Sequence, residues 1–402
     1  LNKDADLKQK KDQKIKVFHV ITRMIIGGAQ ENTLYTVEGL HANPSFDVVL
    51  ITGPAVGPEG DLLERCRGKG IDVRVLPCMR RAINPVRDVI AFFQLLYIFL
   101  KEKPRIVHTH SSKAGILGRI AAKCAGVNVI IHTVHGLPFH PYQSRMLNGL
   151  YVFLERLCVR ISDMVIVVAY AMRDKCLARN IGHPGKYIRI FSGMESDIFI
   201  APVRGRTYMR RDLGYADADF VVAKVARLFP LKGHSDVIRA AQKICGTDAR
   251  VRFLFIGDGI LRKKLEQEIA SCGLEDRFRF QGLVPPAEVP DYIAAADMVV
   301  HASYREGLAR VIPQSLIGDK PVVSYDIDGA SEVVKDGVNG RLVPPGDVDG
   351  LAGAVTDVLK RYDIYTSNVH RSRDMVARDF SVEKMVKDIT FCYLTFKEKW
   401  IK

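Results

Sequence analysis

At 402 residues the chain exceeds one ordinary hydrophobic core, so length alone implies two domains of roughly 150 to 200 residues each. Its 48% hydrophobic and 26% charged residues describe a globular protein and exclude a disordered or fibrous one. The net charge of +14 admits nucleic acid, anionic lipid or an anionic small substrate as partner, and does not choose among them.

In chain order, residues 1–16 hold six lysines and three aspartates without an apolar core, which argues against a signal peptide and predicts a basic disordered arm over 1–14. Apolar runs of strand length then alternate with longer helical patterns, the signature of βαβ units and parallel sheets. The first half predicts strands at 15–21, 47–52, 71–76, 105–109, 128–133, 164–168 and 187–191. Within it the longest apolar run, 89–100, is about half a membrane span and contains Gln94, so it reads as a buried or interfacial helix. Segment 142–161 puts Leu147, Leu150, Tyr151, Leu154, Leu157, Cys158 and Ile161 on one helical stripe, with Arg145, Arg156 and Arg160 nearby. That stripe reads as core packing, or alternatively as a face touching anionic lipid.

Residues 201–219, polar and rich in turn formers, read as a hinge. Beyond it, strands are predicted at 220–226, 252–256, 278–281, 297–301, 321–324 and 341–343. The pattern is α/β, with two Rossmann-like parallel-sheet domains, 15–200 and 220–381, facing each other across a cleft. Eight cysteines without a C-x-x-C pair read as reduced thiols.

The turns after the strands carry the chemistry. Gly27-Gly28 lacks the G-x-G-x-x-G spacing, and reads as close backbone approach to phosphate or as a plain strand-to-helix turn. Arg227 and Lys232, five residues apart, can converge on one pyrophosphate as a fork and a point charge, or stand as solvated cations. Gly257-Asp258-Gly259 suits backbone contact with a flat nucleobase, and equally an ordinary connection. The stretch Glu306 to Leu316 follows an apolar strand and opens an apolar helix, a turn that points N–H groups at an anion beside an acid. Its plain alternative is a capped core helix. His108, His110, His132 and His135 fall within 28 positions, which raises a metal site. Without cysteine or acid ligands at metal spacing, no metal is expected.

The 306–316 stretch resembles the Glu-x7-Glu signature of the retaining, GT-B-fold glycosyltransferases of family GT4, with Gln314 in place of the second acid. The resemblance runs from about residue 15 to the end and is more specific in the second half. It implies that Glu306 accepts hydrogen bonds from donor-sugar hydroxyls, and that Leu308, Ala309 and Arg310 offer backbone N–H groups to a diphosphate. Family members mostly have glycine where Ala309 stands, implying tighter phosphate approach. Gln314 would meet the ribose without charge. Val225-Ala226-Arg227-Leu228 and Leu231-Lys232-Gly233-His234 resemble the donor-diphosphate pair. Gly27 and Gly28 match the turn beside donor phosphates and acceptor, while Gly257, Asp258 and Gly282 match the surroundings of the base. His135 matches the histidine near the reacting sugar, and His110, Ser111 and Lys113 would border the acceptor. Asp326-Ile327-Asp328 looks like the metal motif of another glycosyltransferase fold, but the residues after it match the GT4 loop, so no metal or other cofactor is implied. By the same resemblance the final helix, 382–402, packs back on the first domain.

The activity implied is retaining transfer of a hexosyl or N-acetylhexosaminyl group from a nucleotide-diphosphate donor, UDP preferred. The acceptor would be a saccharide or lipid-linked saccharide in bacterial polysaccharide or glycoconjugate synthesis. With no unambiguous carboxylate nucleophile, the resemblance favours front-face attack. A cytoplasmic protein is implied, peripheral at the inner membrane face if the basic faces contact an anionic membrane surface. The rival readings are a GT-B-fold UDP-sugar 2-epimerase and a non-catalytic nucleotide-sugar or nucleic-acid binder. No segment interleaves aromatic with basic residues, so nucleic acid is not expected.

Overall fold

The computed structural model describes residues 14–56 and 60–400; the basic arm expected over 1–14 lies outside them apart from Lys14. Two compact units form, one running to Met194 and resuming at Val382, the other Glu195–Ser381.

In the first unit the strands are β1 (Ile15–Ile21), β2 (Phe46–Thr52), β3 (Asp72–Val75), β4 (Ile106–His110), β5 (Val129–Val134), β6 (Met164–Val167) and β7 (Tyr187–Arg189). The helices between them are α1 (Gly28–His41), α2 (Leu63–Gly68), α3 (Pro85–Glu102), α4 (Ser112–Cys124), α5 (Arg145–Ile161) and α6 (Tyr170–Leu177). All neighbours pair in parallel, in the order β3-β2-β1-β4-β5-β6-β7. Val17, Phe18, Val20 and Ile21 of β1 are all inaccessible, as a central strand covered on both faces requires.

In the second unit α7 (Asp197–Ile200) and α8 (Arg206–Asp212) precede β8 (Phe220–Val225), α9 (His234–Cys245), β9 (Val251–Ile256), α10 (Arg262–Ser271) and β10 (Phe278–Gly282). Then come α11 (Val289–Ala295), β11 (Met298–His301), α12 (Val311–Ile317), β12 (Val322–Tyr325), α13 (Ala330–Val333), β13 (Gly340–Val343), α14 (Val348–Lys360) and α15 (Tyr362–Asp379). Its parallel sheet runs β10-β9-β8-β11-β12-β13. Every strand expected in either half forms, within one or two residues of its predicted ends.

Three expectations are corrected. Segment 201–219 is no free hinge, because it carries α8, whose buried Arg210 is ion-paired with buried Asp297. Arg204 adds a bond from Nε to Asp291 at 2.9 Å, so ion pairs fasten the segment to the second unit. Of the two readings of 89–100 the buried one falls: α3 buries Ala91, Leu95 and Phe99 and packs Phe92, Leu96 and Ile98 partly against the core, while its other face is exposed. Likewise α5 buries Val152, Glu155, Cys158 and Val159, while Leu150 and Leu157 of the expected core stripe face solvent.

The last helix, α16 (Val382–Leu394), returns to the first unit and lies on α1. Gly39 of α1 permits this, because a Cβ there would come within 2.5 Å of Val386. Met385 receives the Asn32 amide and the Gly193 N–H at 3.1 and 3.0 Å.

Candidate active site

In an open α/β sheet, the carboxyl ends of strands at the point where strand order reverses are the natural ligand site. In the second unit that point lies between β8 and β11. The loop after β8 carries Arg227 and Lys232, and the loop after β11 carries Glu306. Topology therefore brings together residues 74 positions apart, and Lys232 Nζ donates to Glu306 Oε1. Buried His301, at the end of β11, places Nε2 at 3.7 Å from the same oxygen. Burial raises the Glu306 carboxyl, but the nearby His301 ring and the Lys232 ammonium outweigh it and hold the group well below the usual carboxylate range.

Backbone geometry fixes these loops. Leu231 and Gly233 both adopt positive φ, 65° and 63°, and a Cβ at Gly233 would lie 1.9 Å from the Ala302 carbonyl oxygen. The Tyr304 N–H donates to the Leu231 carbonyl at 2.9 Å, fastening the β8 loop to the β11 loop. Gly257 is needed similarly: φ is 133°, its Cβ would meet Ala226 oxygen at 2.2 Å, and its N–H donates to Gly282 oxygen at 2.8 Å. Gly257, Asp258 and Gly282 thus line one rim with Arg227, whose exposed guanidinium stands 5.2 Å from the Phe229 ring. Leu308, Ala309 and Arg310 form the turn leading into α12, and Gln314 lies half-buried within that helix.

Three residues that sequence reasoning passed over, or read otherwise, shape this site. Asp328, within the motif resembling a metal site, instead accepts the Glu306 N–H at 2.8 Å. His301 flanks Glu306 from beneath. Lys224 is 1% exposed with no hydrogen-bond partner for Nζ among the described residues. Burial first and Lys232 second push its amine down to about 7, against the pull of Glu306 and Asp236. A lone lysine in an apolar strand could have signalled it.

In the first unit the order reverses between β1 and β4. There Thr22 and Ser111 join hydroxyls at 2.7 Å, tying the end of β1 to the start of α4. Gly27 and Gly28 open α1 nearby in sequence, with the Glu31 N–H on the Gly27 carbonyl at 2.9 Å. Since strand side chains alternate, His108 and His110 share a face of β4 and meet His19, the register partner of His108 on β1. The result is a continuous chain of hydrogen bonds. Thr133 Oγ1 meets His108 Nε2 at 2.7 Å, and His108 Nδ1 meets Tyr393 Oη at 2.6 Å. Tyr393 Oη meets His19 Nε2 at 3.3 Å, His19 Nδ1 meets His110 Nε2 at 3.1 Å, and His110 Nδ1 meets His135 Nε2 at 3.1 Å.

Burial keeps these imidazoles neutral: His19 and His135 are pushed down to about 3, and His108 and His110 well below the ordinary value. Each neutral ring donates through one nitrogen and accepts through the other, so the chain can polarise in a single direction and fix the tautomer of His135. His19, His108 and His110 bring one nitrogen each within 4.8 Å of the others, close enough for a metal. All their ring nitrogens are already engaged in the chain, so the group reads as a relay.

This corrects the acceptor-side expectation for His110. His110 has no exposed surface and stands behind His135, the half-buried end of the chain. Ser111 is engaged by Thr22, and Lys113 by Asp88 at 2.6 Å and the Ala82 carbonyl at 2.5 Å. His110 thus supports the site from within, while Ser111 and Lys113 are half-buried and Ser111 lines a small cavity together with His135.

Residues 27–190 match the model described as glycosyl transferase 4-like domain, and residues 206–374 the model described as glycosyl transferases group 1. Over 386 residues, 95% of this chain and 97% of its relative, the sequence is 29% identical to the UDP-Gal:alpha-D-GlcNAc-diphosphoundecaprenol alpha-1,3-galactosyltransferase of Escherichia coli. It is 24% identical to the capsular polysaccharide biosynthesis glycosyltransferase CapM of Staphylococcus aureus, covering 80% of this chain and 84% of that one. Among solved structures, Anabaena HepE in complex with UDP-glucose superposes with a TM-score of 0.79 at 22% identity, covering 94% and 99% of the two chains. Sucrose-phosphate synthase of Thermosynechococcus elongatus gives 0.80 at 18% identity, covering 96% and 100%.

Fold and family models together define a glycosyltransferase of the GT-B class. The two models lie end to end, one on each unit. The chain belongs to family GT4.

Proposed function

We propose that the chain transfers a hexosyl or N-acetylhexosaminyl group, with retention, from a UDP-sugar to a saccharide carried on a lipid diphosphate, in synthesis of a bacterial surface polysaccharide or related glycoconjugate. The observation that carries this reading is the near full-length identity to the Escherichia coli enzyme, whose name specifies a UDP-sugar donor and a diphosphoundecaprenol-linked acceptor.

The geometry of the second unit suits the chemistry. A donor diphosphate entering beside Lys232 exchanges partners with the existing pair, Lys232 turning to phosphate and Glu306 to the sugar hydroxyls. Arg227 adds a second cation on the leaving group, and the 308–310 turn adds backbone donors. Gln314 takes the ribose hydroxyls as a neutral donor and acceptor. Gly27, Gly28 and His135 belong to the same reaction in this reading. His135, neutral across the working pH range, orients a hydroxyl by hydrogen bonding and does not act as a charged acid. Positioning and leaving-group stabilisation then drive front-face attack by the acceptor hydroxyl.

A thermal-shift panel of UDP- and GDP-sugars followed by turnover tests this. The expected result is stabilisation by UDP-sugars, about 2.7 kcal/mol at a hundredfold the dissociation constant, and UDP release that depends on a lipid-diphosphate saccharide. Release of an epimerised sugar without acceptor, or response to GDP-sugars alone, overturns it.

A further inference from the structure

Helices α3, α4 and α5 pack side by side on one face of the first unit's sheet. Lys113 of α4 pairs with Asp88 of α3 at 2.6 Å, and Arg119 of α4 with Glu155 of α5 at 2.9 Å. A helix of a globular domain ordinarily turns its apolar stripe inward and its polar face outward. Here a second apolar stripe faces out. On α3, Val86, Val89, Ile90, Phe93, Tyr97 and Leu100, which follow a three-or-four spacing but for the adjacent Val89 and Ile90, are 42–70% exposed. On α5, Met146, Leu150, Phe153 and Leu157 repeat the spacing at 40–86% exposure. Isolated exposed apolar side chains are ordinary, but two regular stripes on the two helices that flank α4 on one layer make an apolar face.

The charges around it have one sign. The acids of these three helices are Asp88, Glu102 and Glu155, and each is held by a cation, Lys113, Arg74 or Arg119. Arg87, Lys101, Arg145 and Arg160 remain exposed along α3 and α5. Lys101 lays its stem by the outward Tyr97, Nζ 5.7 Å from the ring centroid, in the manner of a side chain that keeps its charge at a polar boundary. A well-formed helix supports the stripe: the Asn84 side chain caps the Arg87 N–H at 3.0 Å, Pro85 occupies the first turn, and Lys103 closes the far end at φ 47°. Among the described residues no helix is long and apolar enough to cross a membrane, so contact with lipid here would be interfacial.

We propose that the outer face of α3 and α5 docks on an anionic lipid bilayer, with the apolar stripes among the acyl chains and the cations at the headgroups. An acidic surface made of lipid satisfies both halves of the patch at once, whereas an apolar protein partner would leave the cations uncompensated.

The test is sedimentation of the full chain with phosphatidylcholine vesicles containing or lacking phosphatidylglycerol, without donor or acceptor. Wild type is expected to bind the anionic vesicles at least about tenfold more than the neutral ones, less so at high salt. The triple variant Phe93→Ser, Tyr97→Ser, Leu100→Ser should lose about tenfold of that binding, as should Arg87→Glu with Lys101→Glu and Arg160→Glu. All these positions are exposed, so circular dichroism and transfer to a water-soluble acceptor should remain those of wild type. Failure of wild type to bind anionic vesicles, or binding unchanged by both variants, overturns the proposal. So does light scattering that shows a dimer split by the triple variant, without vesicle binding. Because the vesicles carry no acceptor, these outcomes leave the transfer reading untouched.

Discussion

Lys232 and Glu306 hold each other, and this pairing keeps two opposite charges compatible with a partly enclosed loop junction. A carboxylate there without its cation would be costly, so under the proposed reaction each partner positions the other before a donor arrives. Lys232→Ala and Glu306→Gln should therefore each lower kcat/KM by about 10²–10³-fold, the range for removing one preorganised charge from a leaving-group or hydroxyl site. Since both act through one network, the double variant should fall little below the worse single one. Steady-state kinetics on the four proteins checks this. Multiplicative losses would mean that the two side chains act on separate steps. Arg227, exposed and beside Phe229 rather than in the pair, serves as the independent control in the same cycle.

At the scale of elements, loop backbone rather than side chains decides whether the second unit's site forms. Gly233→Ala drives a Cβ to 1.9 Å from the Ala302 carbonyl at φ 63°, and neither loop can yield without moving Lys232 or Tyr304. The expected loss is at least about 2 kcal/mol. Gly337 has φ 74° with open space around it, so Gly337→Ala should cost only about 1 kcal/mol for the left-handed backbone. Urea unfolding of both variants measures the difference; equal losses would show that the β8 loop is free to shift. The same contrast explains what could be read in advance. Parallel strands are apolar runs between helices, so β1 to β13 were visible in the spacing, whereas Lys232 and Glu306, in the loops beyond β8 and β11, stood out through the family resemblance. Periodicity shows that α3 and α5 have apolar stripes but not that each has two, because only packing tells which stripe the sheet takes. Nor can spacing link His19 to Tyr393, 374 positions apart and joined only when α16 returns.

Across the whole molecule, buried neutral histidines are unevenly shared. Among the described residues the first unit holds His19, His108, His110, His132 and His135, all pushed below the ordinary value by burial. The second holds His234, down to about 2, and His301, also lowered by burial. For a base with a depressed folded pKa, the unfolded chain takes up the proton first as pH falls. Stability is therefore intact above the unfolded value of 6.5 and is lost progressively from there down toward about 3, where His19 and His135 themselves titrate. At pH 5 His19 and His135 each cost about 2 kcal/mol relative to pH 7, and the others act in the same direction. With five against two, the first unit should weaken more steeply between pH 7 and 5. The return of α16 through Tyr393 carries the C-terminus with it, so residues 382–394 should open together with β1 and β4. Hydrogen exchange by mass spectrometry at pH 7, 6 and 5, corrected for intrinsic rates, should show β1, β4, β5 and α16 losing protection before β8 and β11. Equal loss in both units would mean that the His19 to His135 chain already carries a proton in the folded protein. In that case one of its contacts must be a charged hydrogen bond and the tautomer of His135 is not set by relay.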